Sequence, residues 1–82
     1  MSNDTIVMYG TAWCGDCRRS RKLLDENNIP YQYIDIEQDD AARQHVEKVN
    51  NGSRSVPTII FPDGSVLVEP ANSVLLAKVK QG

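Results

Sequence analysis

The chain has 82 residues, 40 % hydrophobic and 24 % charged, with a net charge of −2 and a pI near 5.2. That length fits one domain over residues 1–82, large enough to bury a core without staples. The acidic balance excludes general nucleic-acid binding, and no apolar run approaches the ~20 residues of a membrane span.

Residues 1–9 have neither the basic nor the long apolar region of a secretory leader, so a cytoplasmic location is expected. Within them, residues 5–9 (Thr-Ile-Val-Met-Tyr) are a short, β-branched apolar run closed by Gly10, the pattern of a buried strand. A loop over 10–13 then leads into Trp13-Cys14-Gly15-Asp16-Cys17, which holds both cysteines of the chain. Two intervening residues let sulfurs meet across one turn, with Cα atoms near the ~5.5 Å that a disulfide prefers.

A helix is predicted over 14–27, where good helix formers predominate. Its buried stripe is Cys17, Ser20, Leu23, Leu24 and Asn27, and Arg21–Asp25 and Lys22–Glu26 are spaced as i,i+4 pairs. Asn27-Asn28 ahead of Ile29-Pro30 stops it. Cys14 would open this helix, where unpaired amides and the positive dipole end stabilise a thiolate. Arg18 or Arg19 adds to that effect and Asp16 opposes it, so a moderate lowering of the Cys14 thiol pKa is expected. Cys17, on the buried stripe, is the less accessible thiol and is placed to resolve a mixed disulfide.

Residues 31–36 (Tyr-Gln-Tyr-Ile-Asp-Ile) read as a second strand, parallel to the first across a right-handed helical connection. Asp39 or Asp40 caps a second helix over 41–49 with Ala42, Val46 and Val49 inward, ended by Asn50-Asn51-Gly52. His45 borders that apolar side on a solvated rim. Runs at 58–61 and 65–68 flank Pro62-Asp63-Gly64, a hairpin signal. A closing helix covers 71–80, with Asn72 as its cap. The order β-α-β-α-β-β-α gives an α/β fold: a four-stranded mixed sheet with three helices. The cysteine loop leaves the C-terminal end of the first strand, where ligands sit in open α/β sheets.

Two plainer roles for the cysteines compete with a redox one. A purely structural bridge over so short a loop removes little chain entropy. A zinc half-site needs further ligands, and His45 alone remains, so no closed metal site is expected. A Cys-x-x-Cys after the first strand of a βαβ unit reads instead as a thioredoxin-like redox motif.

With Ser55-Val56-Pro57-Thr58 added, the chain resembles the glutaredoxins over essentially its whole length. The likeness is carried by residues 6–9, Trp13-Cys14-Gly15-Asp16-Cys17, residues 33–37 (Tyr-Ile-Asp-Ile-Glu) and residues 51–64. Among subfamilies it is most similar to the mycoredoxins, which act on mixed disulfides with mycothiol. The reasons are Arg54 three residues before Pro57, the Phe61-Pro62-Asp63-Gly64 turn, and Pro70 soon after the last strand. Two places depart from the common glutaredoxin pattern. Thr11 stands where many members have a lysine that meets a glutathione carboxylate. Residues 66–72 (Val-Leu-Val-Glu-Pro-Ala-Asn) replace the paired glycines that hold the γ-glutamyl end.

The resemblance implies a thioredoxin-like fold and a thiol–disulfide oxidoreductase with Cys14 as nucleophile and Cys17 as resolving thiol. It implies a cis peptide bond at Pro57 and substrate contacts at Thr11, Trp13, Arg54, Val56 and Pro57. Partners would be S-thiolated or disulfide-bonded proteins, a small thiol such as mycothiol or glutathione, and an external reductase. The protein would work as a monomer with no organic cofactor. Two other readings stay open: an electron donor to an enzyme such as ribonucleotide reductase, and a dimer bridging an iron–sulfur cluster through Cys14 of each chain. The aromatic-Ser-Gly C-terminus of the known reductase donors is absent.

Overall fold

In the computed structural model, which describes residues 5–80, the elements run in the expected order. They are β1 (Ile6–Gly10), α1 (Gly15–Glu26), β2 (Tyr31–Asp35), α2 (Asp40–Val49), β3 (Thr58–Ile60), β4 (Val66–Val68) and α3 (Asn72–Lys80). The first four residues, on which the expectation of no secretory leader partly rests, lie outside the described residues. No described helix is long and apolar enough to cross a membrane.

The sheet order is β2-β1-β3-β4, with β1 parallel to β2 and antiparallel to β3, and β3 antiparallel to β4. The period-two alternation of strands sorts the core onto two faces. Ile6, Met8 and Ile59 join Leu24 of α1, Phe61 and Leu75 of α3 on one side. On the other, Ile36, Ala42 and Val46 pack with Tyr9, Ile34 and Val56. Helices α1 and α3 therefore cover one face, and α2 covers the other.

Local chemistry explains most boundaries. Asp39 caps α2 by accepting the Ala42 N–H at 3.0 Å. Asn28 and Asn51 take left-handed conformations (φ 56° and 57°) just past α1 and α2, as asparagine tolerates. Gly64 supplies the positive φ of the β3–β4 turn.

Five expectations shift. Ile36 falls just beyond β2, yet it is buried and its N–H reaches the Gly10 carbonyl at 2.9 Å, extending the parallel pairing by one bond. Asn72 is the first helical residue of α3 rather than its cap. Asn27 is exposed; the fully buried stripe of α1 is Cys17, Ser20 and Leu24. Val49 is half-buried rather than core. Arg21 does not pair with Asp25: its guanidinium lies 4.1 Å over the Tyr33 ring and its Nε donates to the Tyr31 hydroxyl at 3.5 Å. An aromatic face competes well with an exposed carboxylate for a guanidinium, since exposed pairs gain little in water.

Candidate active site

β1 ends at buried Gly10, and the chain turns through Thr11-Ala12-Trp13 to deliver Cys14 as the N-cap of α1. Cys14 has extended backbone angles (φ −81°, ψ 112°), and its sulfur accepts the Cys17 N–H at 3.0 Å. A cap normally offers oxygen for that bond; here sulfur takes the place. The N-cap position therefore puts the sulfur against an unpaired amide at the positive end of the helix. Cys14 and Cys17 form a disulfide, with Cα atoms 5.2 Å apart. Both residues are buried, Cys17 (1 % exposed) more deeply than Cys14 (6 %).

Asp16, between the cysteines, is met by Arg19 at 3.1 Å, and Arg19 also donates to the Pro70 carbonyl at 3.3 Å. The carboxylate's opposition to a thiolate is thereby partly offset, and Arg19 is committed away from Cys14.

The sheet register assembles the rest. Tyr9 pairs with Thr58, and continuing that antiparallel register sets Pro57 beside Gly10 and Val56 beside Thr11. Gly10 pairs with Asp35 in the parallel ladder, which brings Ile36 alongside Thr11. The Val56–Pro57 bond is cis, and Pro57 is buried. Its carbonyl accepts the Glu69 N–H at 2.9 Å. Thr58 Oγ1 donates to the Ser55 carbonyl at 2.7 Å and accepts from Asn50 Nδ2 at 3.0 Å, which fastens the loop ahead of the proline to the end of α2.

These strand ends open into a groove of about 460 Å³ lined by Thr11, Trp13, Ile36, Val56 and the polar side chains of Glu37, Asp40, Arg43 and Arg54. Four of the five sequence-derived contact residues line it; Pro57 and the two cysteines do not. Thr11 is 4 % exposed, and its buried hydroxyl has no hydrogen-bond partner among the described residues. Trp13 is 66 % exposed, with its indole N–H donating to Glu37 at 3.0 Å. Arg54 is tied to Glu47 at 2.6 Å, and Glu47 also holds Arg43 at 3.2 Å, which in turn reaches Asp40 at 3.7 Å. The hydrogen bond from Arg54, followed by the nearby positive charges of Arg43 and Arg54, lowers the Glu47 pKa from its ordinary value.

Sequence reading missed Glu37, Asp40, Arg43 and Glu47. Arg43 and Glu47 stand at i,i+4 on α2 and were open to discovery. The crossing to Arg54 was not, because it joins a helix to a loop through tertiary structure. Among the described residues no cluster of three or more His, Cys, Asp or Glu side chains is placed to hold a metal.

The Glutaredoxin family profile matches residues 6–67. The chain belongs to the glutaredoxin family. It is 41 % identical over 80 residues to Mycoredoxin 1 of Corynebacterium glutamicum, covering 98 % of this chain and 96 % of that one. Among solved structures it resembles the thioredoxin-like protein BC3987, with a TM-score of 0.75 at 27 % identity over 94 % of this chain and 97 % of the other. The glutaredoxin of Archaeoglobus fulgidus superposes with a TM-score of 0.78 at 21 % identity, over 96 % and 88 % of the two chains, and shows the shared fold. Glutaredoxins are thiol–disulfide oxidoreductases that use thiol co-substrates and need no prosthetic group.

Proposed function

We propose that this glutaredoxin reduces mixed disulfides between proteins and a neutral, sugar-linked thiol of the mycothiol type, with Cys14 as nucleophile. The observation that carries the roles is the cap: the Cys14 sulfur receives the Cys17 amide N–H at the helix start, while Cys17 is sealed from solvent. A thiolate on Cys14 attacks the protein-bound mixed disulfide and takes the small thiol, releasing the protein thiol. A second molecule of small thiol, or Cys17, then displaces it, and an external reductase resets the small-thiol pool.

The choice of thiol rests on the groove. Glutathione carries two carboxylates, whereas mycothiol is a sugar-linked cysteine derivative with none. Both groove arginines are already engaged by carboxylates, and Glu37 and Asp40 add negative charge to the wall. A dicarboxylate would have to break those pairs, while a polyol can hydrogen-bond to them as they stand. Thr11 stands where a cation would be, so that position offers no positive charge to a carboxylate. Similarity to Mycoredoxin 1 supports the same reading.

The test is to reduce one small mixed-disulfide substrate with mycothiol, glutathione or bacillithiol in turn. Mycothiol is expected to give a kcat/KM at least tenfold above glutathione, about 1.4 kcal/mol of discrimination; equal rates overturn the proposal. Cys17→Ser should keep this activity and lose reduction of protein disulfides. Equal losses in both assays would remove the division of labour between the cysteines.

A further inference from the structure

Gly10 marks an unusually close approach behind the disulfide. A Cβ at this position would lie 2.5 Å from the Tyr33 hydroxyl oxygen and 2.7 Å from Cys17 Sγ. The phenol oxygen and the buried sulfur thus converge on the same bare backbone, no farther from each other than those two distances laid end to end. Here the Tyr33 O–H donates to the Thr11 carbonyl at 3.0 Å, the same carbonyl that receives the Cys14 N–H at 3.4 Å. Arg21 lies 4.1 Å over the ring.

The resolving step, taken from the function proposed above, puts a demand on this place. Cys17 must lose its proton to solvent and attack Cys14 Sγ in the mixed disulfide Cys14–S–S–R. The Cys14–Cys17 bond forms, the bond from Cys14 to the substrate sulfur breaks, and RS⁻ leaves to be protonated by water. Two electrons pass from the dithiol to the substrate disulfide. For that, a negative charge must appear on the sulfur of a residue that is 1 % exposed, where water solvates it poorly.

We propose that Tyr33 is a positioning residue for the buried sulfur: its phenol O–H turns from the Thr11 carbonyl to Cys17 and stabilises the thiolate of the resolving step. A hydroxyl hydrogen is a free rotor, so a change of partner needs no backbone movement. Burial raises the Tyr33 pKa, which keeps the group a donor. The Arg21 cation opposes that rise and polarises the ring toward donation. The other ionisable neighbours of the ring are Tyr31 and Asp35 on β2, and Asp35 counteracts Arg21. Absence of a Cβ at Gly10 is what admits oxygen and sulfur to one space.

The experiment titrates Cys17 alone, as thiolate absorbance against pH, in Cys14→Ser with and without Tyr33→Phe. Phenylalanine keeps the ring and the contact with Arg21 and removes only the hydroxyl. The expected result is about a tenfold smaller thiolate fraction at neutral pH, with a comparable slowing of the resolving step in a single-turnover assay of the Tyr33→Phe single variant. The Cys14 thiol, titrated in Cys17→Ser, should shift less. An unchanged Cys17 titration, or equal shifts at both cysteines, overturns the proposal. Arg21→Gln leaves the hydroxyl in place and should give a smaller shift of the same sign; no shift there counts against the polarising role and removes that part. If Cys17→Ser retains protein-disulfide reduction, it is the resolving role of Cys17 that fails, and the titration still reads Tyr33 by itself.

Discussion

At the scale of single residues, the site depends on what is small as much as on what reacts. Gly10 is the sharpest case, because a methyl group there collides with two side chains at once. The Tyr33 hydroxyl sits at the end of a long side chain and can yield; Cys17 Sγ is fixed by α1 and by its bridge. Gly10→Ala is therefore expected to cost about 1–3 kcal/mol, the usual penalty of overpacking. The loss should be larger in the oxidised form than in the reduced form. Denaturant unfolding under both conditions measures it, and equal losses would mean that tyrosine alone absorbs the strain. The two cysteines were legible because their chemistry is local: spacing, helix start and neighbouring charges all lie within one turn. Arg54 was also singled out, as a substrate contact. Its actual partner, Glu47, comes from α2, and nothing in the order of residues 47–54 foretells that contact.

At the scale of elements, the helices are held unevenly. α1 is capped by sulfur and α2 by Asp39, whereas α3 fixes itself to the core chiefly through fully buried Leu75. Leu75→Ala should cost about 2–5 kcal/mol and loosen α3 from α1. A smaller loss in urea unfolding would indicate that half-buried Leu76 and Val79 share the anchoring. The apolar residues of this helix (Val74, Leu75, Ala77 and Val79) form no clean stripe, so the pattern does not single out Leu75 as the anchor. A second tie runs from Lys78 to Asp63 at 2.8 Å, joining α3 to the β3–β4 turn. Hydrogen bonds from Lys78 first, then from Ser65, hold the Asp63 carboxyl well below the usual carboxylate range. A carboxyl depressed on folding contributes stability that is complete above its ordinary value near 4 and lost as pH falls through the lowered one. The stability gap between the parent and Asp63→Asn should thus stay constant from pH 7 to about 5 and close in acid. A gap that widens on acidification would contradict the assignment.

At the scale of the whole molecule, one sheet with a core cluster on each face brings the C-terminal ends of β1 and β2 and the start of β3 side by side. That is why residues far apart in the chain (Thr11, Ile36 and Val56) become neighbours in one groove. The topology was readable, since the short apolar runs, the asparagine stops and the Asp-Gly turn each act locally and agree with one another. The polar wall of the groove was not, because it arises only after α2 and the loop before Pro57 have docked. Trp13 sits at the edge of that wall, mostly exposed and bonded to Glu37. It is the one tryptophan in the chain and immediately precedes Cys14. The protein consequently carries its own optical gauge. An adjacent disulfide quenches indole emission, so fluorescence should brighten when the bridge opens and shift to the blue when a ligand covers the ring. Glu37→Gln should alter the shift and leave the brightening, separating occupancy of the groove from the oxidation state of its sulfurs without any added label.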